Sequence, residues 1–71
     1  MPASRHAAYR AINRMRIARQ AAHLAIHAAG RHAKSVQPDD VITQGHRLSG
    51  LHDGPLTHSE AAEALAYYHK H

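Results

Sequence analysis

The sequence predicts an all-α fold in which one long N-terminal helix packs with two shorter helices, as a helical hairpin or a three-helix arrangement. Two observations support this prediction. Residues 5–34 contain no acidic residue, no proline and one glycine, and two later segments each open with residues that favour a helix start. A chain of 71 residues forms a single small domain, so residues 1–71 are taken as one unit.

The first helix is predicted over about residues 4–33. Alanine, arginine, leucine, methionine and glutamine dominate this segment, and all of them favour helices. Ser4 is the predicted N-cap, because a serine hydroxyl can accept a hydrogen bond from a first-turn amide. Gly30 is the expected point at which the helix bends or ends early, since glycine is unfavourable inside a helix.

The side chains of this helix separate into an apolar and a basic face when they are placed about 100° apart. We expect the apolar face to pack against the second half of the chain, or to form a helix–helix dimer seam. That face contains Ala8, Ala11, Met15, Ala18, Ala22, Ala25, Ile26, Ala29 and Ala33, and a second strip beside it contains Ile17, Ala21, Leu24 and Ala28.

The second helix is predicted over about residues 38–48. Pro38 suits the first helical position, and the acidic Asp39 and Asp40 favour the positive end of the helix dipole. Gly45 weakens this helix. A loop follows over residues 49–56, because glycine and proline interrupt the chain there.

The third helix is predicted over about residues 57–69. Thr57 and Glu60 fit a capping box, in which each side chain binds the backbone amide of the other residue. Leu56 and Ala61 flank that box as a hydrophobic staple. The segment from Leu56 to Leu65 also resembles the opening helix of excisionase-type and MerR-type winged-helix domains, but no recognition helix follows it and no function is carried over.

Charge is divided unevenly along the chain. Residues 1–34 hold seven Lys or Arg and no Asp or Glu (+7), and residues 35–71 hold two basic and five acidic residues (−3), which sums to the net charge of +4. This division predicts pairing between the halves, an anionic partner for the first half, or both. The large apolar residues are few, so we expect a homo-oligomer or a subunit of a larger complex.

We therefore expect a non-enzymatic regulator, inhibitor or assembly subunit whose helices dock onto a larger protein. The alternative is a nucleic-acid-binding protein that uses the basic face of the first helix on DNA or RNA phosphates. No cysteine and no transmembrane segment are apparent, and a cytoplasmic location is expected. The predicted binding residues are Arg5, Arg10, Arg14, Arg16, Arg19, Gln20, His23, His27, Arg31 and Lys34.

Nine histidines in the chain raise the question of a metal site. His23 and His27 are four residues apart, a spacing at which two imidazoles can share a metal ion. Their face is lined by arginines, however, and the helix offers no acidic ligand, so solvated histidines are expected rather than a metal or other cofactor. His52 with Asp53, and His58 with Glu60, are interpreted as loop and capping residues, and no catalytic residue is predicted.

Overall fold

The computed structural model describes the backbone of residues 2–70 and the side chains of residues 7–70. Three α-helices form the fold, and a short 3-10 helix follows the first. The long helix packs against the two shorter ones, which confirms the predicted all-α architecture. The elements are α1 at Pro2–Ala29, the 3-10 helix at Gly30–Ser35, α2 at Pro38–Arg47 and α3 at His58–Lys70.

The first helix begins and ends earlier than predicted. It begins at Pro2, which suits the first turn because proline has no amide hydrogen to leave unpaired. Ser4 therefore lies within the helix rather than before it, and its predicted capping side chain is outside the described side chains. The α-helix ends at Ala29 because Gly30 adopts a left-handed φ of 56°. The break predicted at this glycine is confirmed.

The second helix begins with the predicted proline. Pro38 takes the first position, and the Asp40 Oδ2 atom accepts a hydrogen bond of 2.9 Å from the Gln37 backbone N–H. Gly45 lies against the buried Leu56, where an added Cβ would come 2.7 Å from Leu56 Cδ1. The glycine that weakens α2 therefore allows the helix to approach this leucine closely.

The third helix has the predicted capping box. Glu60 Oε1 accepts a bond of 2.9 Å from the Thr57 N–H, and Thr57 Oγ1 accepts one of 3.1 Å from the Glu60 N–H. Leu56 before the cap and Ala61 after it are both buried in the same cluster. The two residues of the predicted staple are thus both buried at the start of α3.

The two short helices run in opposite directions along α1. The loop that follows α2 returns to α1, where Asn13 Nδ2 donates to the Gly50 carbonyl at 3.2 Å, so α2 is antiparallel to α1. Arg19 and His23 of α1 meet Tyr67 and Tyr68 of α3 in the same chain order, so α3 is parallel to α1. Both short helices also contact each other.

The core lies where α1 faces the two short helices. Part of the predicted apolar face is therefore covered by the chain's own second half. Ala8 and Ala11, predicted on that face, are instead exposed, because α2, α3 and their loop leave this part of α1 uncovered. The buried hydrophobic residues are Ile17, Ala18, Ala21, Ala22, Ala25, Val36, Val41, Leu56, Ala61, Ala64 and Leu65.

Candidate docking surface on the first helix

Arg14 joins α1 to the loop and the start of α3. Its Nε and Nη2 atoms donate to the two carboxylate oxygens of Glu60 at 3.0 and 2.8 Å. The remaining donors bind the backbone carbonyls of His52, Gly54 and Pro55. A guanidinium has five N–H donors, and all of them are engaged here. Arg14, predicted as a partner contact, is thus occupied within the chain.

Glu60 combines two stabilising functions. Its carboxylate binds Arg14 and also completes the capping box with Thr57. The Arg14 hydrogen bond, assisted by the backbone and side chain of Thr57, lowers the pKa of Glu60 to about 2, although partial burial opposes this shift. The same pair raises the pKa of Arg14. Side-chain exposures of 13% for Arg14 and 21% for Glu60 mean that water screens this pair less than a surface pair.

A second contact to the loop is weaker. Arg10 Nε lies 3.7 Å from Asp53 Oδ2, and both side chains are well exposed, so this pair adds little stability. Arg10 also lines an open depression of about 420 Å³, whose other residues are Tyr9, Asn13, Arg14, His52 and Asp53. Most of its polar groups already bind one another, so Arg10 belongs chiefly to the junction between α1 and the loop.

The most unusual surface of the molecule is the N-terminal part of α1. Tyr9 is 67% exposed and Ile12 is 59% exposed, although both are large hydrophobic residues. Ala8 and Ala11 are also exposed, and Met15 is only partly buried at the edge of the core. We call the side of residues 7–16 that faces away from the loop the uncovered half of α1, since Asn13 and Arg14 on the opposite side bind the loop. A helix of 28 residues is about 42 Å long, which explains the elongated dimensions of 46 × 24 × 15 Å.

Four of the predicted basic residues remain available on the exposed side. Arg16, Arg31 and Lys34 are exposed and form no ion pair among the described side chains. The Arg19 guanidinium carbon lies 4.4 Å from the centre of the Tyr67 ring, which is a cation–π contact. This contact fixes the direction of Arg19 while its charge stays at the surface. Gln20, also predicted, is exposed beside these residues.

The two predicted histidines belong to a row of aromatic rings between α1 and α3. His23 stacks on His27 with ring centres 6.1 Å apart, and its other neighbour is Tyr68 at 5.7 Å. Within the described part of the chain, no group of three or more His, Cys, Asp or Glu side chains is placed to hold a metal ion. His23 therefore connects α1 to Tyr68 of α3, whereas the ring contact of His27 is with His23 on the same helix.

The structure therefore divides the predicted binding residues. Arg14 binds the loop and α3. Arg10 lies beside the loop residue Asp53 with its side chain largely exposed. The other predicted residues with described side chains are also exposed, namely Arg16, Arg19, Gln20, His23, His27, Arg31 and Lys34. Arg5 lies outside the described side chains. The sequence prediction did not include Tyr9, Ile12 and Met15 among the binding residues. The signal available was that Ile12 falls near the basic side of the helix, away from the alanine face.

Two negative findings complete the description. Among residues 2–70, no helix is long and apolar enough to cross a membrane. Comparisons with known protein families, with curated proteins and with solved structures find no match to this chain.

Proposed function

We propose that this chain is a small non-enzymatic binding protein that docks onto a larger protein through the uncovered half of α1. Such a protein acts as a regulator, an inhibitor or an assembly subunit. The observation that carries the proposal is the exposure of Tyr9 and Ile12 on a helix that buries one face against α2 and α3 further along its length. Large apolar side chains grouped on one exposed helix surface are typical of protein interaction sites.

The composition of the uncovered half supports this proposal. Tyrosine, methionine and arginine are enriched in protein interfaces relative to other surfaces, and this segment contains Tyr9, Met15 and Arg16. Its alanines leave space for another backbone to approach. An amphipathic helix that lies in a groove of its partner is a common mode of recognition.

Site-specific photo-cross-linking in the native host tests this proposal. A photoreactive amino acid replaces Ile12 in one variant and Leu24 in another. Leu24 is the control, because it is an exposed apolar residue of the same helix that lies outside the uncovered half. We expect a covalent adduct of defined mass from position 12 and little from position 24. Equal adducts from both positions, or none from position 12, would contradict docking through the uncovered half.

Nucleic-acid binding is the second candidate function. It is favoured by the absence of ion pairs to Arg16, Arg31 and Lys34 among the described side chains. Labelled duplex DNA and single-stranded RNA, measured by fluorescence anisotropy across a salt series, test this candidate. This candidate is supported if the logarithm of the binding constant falls linearly with the logarithm of the salt concentration, with a slope that corresponds to contacts with several phosphates. Under the protein-docking proposal we expect no such binding at physiological salt.

A further inference from the structure

A shallow apolar groove lies within the uncovered half and continues to Arg19. Its volume is about 300 Å³, and it is lined by Ala11, Ile12, Met15, Arg16 and Arg19. We call its apolar lining residues, Ala11, Ile12 and Met15, the floor, and its two exposed arginines the rim. No residue of α2 or α3 lines it, so the fold leaves this groove without an intramolecular occupant among the described residues.

The dimensions of the groove suit a helix. Ala8, Ile12, Met15 and Arg19 follow one another at spacings of four, three and four residues, and Ala11 lies three residues after Ala8, which places all five along one side of α1. The lining residues from Ala11 to Arg19 extend about 12 Å along the helix axis, which corresponds to about two helical turns. Small residues at Ala8 and Ala11 permit close packing of a second helix, while Ile12 and Met15 provide larger contacts.

The charge around the groove selects the partner. Arg16 and Arg19 are its only charged lining residues, and α1 contains no acidic residue. Glu63, which lies one turn before Tyr67 on α3, is exposed and forms no ion pair with either arginine. Arg19 is already oriented by the Tyr67 ring, so less conformational entropy is lost when it binds an anion.

We propose that this groove binds an acidic amphipathic helix of a protein partner, with apolar side chains on Ile12 and Met15 and carboxylates on Arg16 and Arg19. This inference rests on the proposed docking function and specifies the chemistry of the partner. A second copy of the chain fits less well, because pairing through the same groove would bring like charges together. Phosphates of a nucleic acid would engage the arginines but leave the apolar floor in water.

Three designed helical peptides of about four turns test the proposal by fluorescence anisotropy. They share one leucine face and differ only in the flanking residues, which are glutamate, glutamine or lysine. We expect the glutamate peptide to bind about tenfold more tightly than the glutamine peptide, from two rim ion pairs. The lysine peptide should bind most weakly. Ile12→Ser should weaken the glutamate peptide at least about tenfold, because it removes the central apolar contact.

Charge reversal provides the sharper variant. Arg16→Glu should change the ratio of the affinities for the glutamate and lysine peptides by at least about tenfold in favour of lysine. The variant loses the ion pair of Arg16 with a peptide glutamate and gains one with a peptide lysine. Arg31→Glu is the matched control, because Arg31 is exposed but lies outside the groove. It should leave the order of the three peptides unchanged. Circular dichroism of each variant shows whether helicity is retained.

The outcomes separate this inference from the docking function. Equal affinity for the glutamate and glutamine peptides, with loss in Ile12→Ser, would overturn the acidic partner while docking stands. If none of the three peptides binds, the groove is not a binding site for a helix. The photo-cross-linking experiment at position 12 then still tests the docking function separately. Concentration-dependent dimers that disappear in Ile12→Ser would identify a second copy instead. Duplex DNA binding that is lost in Arg16→Glu but kept in Ile12→Ser would indicate a nucleic acid.

Discussion

The two halves of α1 both carry isoleucine and several alanines, but their surroundings differ. From Ile17 to Ala29 the helix faces α2 and α3, and most of its inward side chains are buried. In the uncovered half, Ala8, Ala11 and Ile12 are exposed to water. The difference arises because the two short helices are too short to cover the whole of α1. An apolar side chain of α1 is therefore buried only where α2 or α3 is long enough to reach it.

The largest expected effect comes from the two isoleucines on opposite sides of this boundary. Ile17 is 7% exposed and Ile12 is 59% exposed. Ile17→Ala should lower the free energy of unfolding by about 2–5 kcal/mol, because it leaves a cavity in the core. Ile12→Ala should change it by less than about 0.5 kcal/mol.

Urea denaturation followed by circular dichroism measures both changes. Ile17→Val serves as the milder variant if Ile17→Ala does not fold, and its expected cost is about 1 kcal/mol. A loss at position 12 as large as that at position 17 would mean that the uncovered half is part of the folded core after all.

The next effect compares two arginines that are two residues apart. Arg14→Met should destabilise the fold by about 2–4 kcal/mol, because it leaves the Glu60 carboxylate and three loop carbonyls without this donor. Arg16→Met should have an effect below about 0.5 kcal/mol, since Arg16 forms no ion pair with any side chain of residues 7–70. Thermal unfolding of the two variants checks this contrast. Equal melting temperatures would show that the Arg14 contacts add no net stability.

Acid should act on the same junction. Because the pKa of Glu60 is lowered from 4.5 to about 2, its ionised form stabilises the folded chain. This contribution is fully present above about pH 5 and is lost as the pH falls through 4.5 toward 2. We expect Arg14→Met to reduce this loss, whereas Arg16→Met should keep it. The measurement is the free energy of unfolding of each variant between about pH 6 and pH 2.5. If both variants lose as much stability as the unmodified chain, the acid sensitivity does not come from the Arg14–Glu60 pair.

The smallest expected effect is at the cap of α3. Thr57→Ala removes the hydroxyl that accepts the Glu60 N–H and should cost about 1 kcal/mol. Thr57→Ser keeps an acceptor and should recover most of that loss. Urea titrations of the two variants are compared directly. If serine and alanine have the same effect, the capping bond does not contribute to the stability of α3.

Local signals predicted the fold well. The informative signals were Gly30, Pro38 and the Thr57–Glu60 capping box. Each acts on the backbone within a few residues of its own position, so its effect can be predicted from the local sequence. The bounds of α2 and α3 follow from these signals to within one or two residues. The α-helix ends at Ala29, four residues before the predicted bound of about residue 33, because Gly30 adopts a left-handed conformation. This is the glycine at which an early end was expected, and the chain continues from it as a 3-10 helix.

The candidate site was less predictable because it depends on distant contacts. Arg14 binds Glu60, which is 46 positions away, whereas Arg16 lies about 200° further round the helix and meets no carboxylate among the described residues. Both are arginines in the same basic segment, and the sequence assigned both to a partner. The exposure of Ile12 likewise follows from the path of the 48–57 loop and the length of α3, which no local pattern specifies.

Hydrogen exchange of the α1 backbone amides tests the division of this helix most directly. Amides of residues 18–25 should be protected nearly to the free energy of global unfolding, whereas those of residues 7–13 should exchange orders of magnitude faster. Adding the glutamate-flanked peptide should increase protection chiefly in the uncovered half. Uniform protection along α1 in the free protein, with no change on addition of the peptide, would contradict both the division and the proposed docking surface.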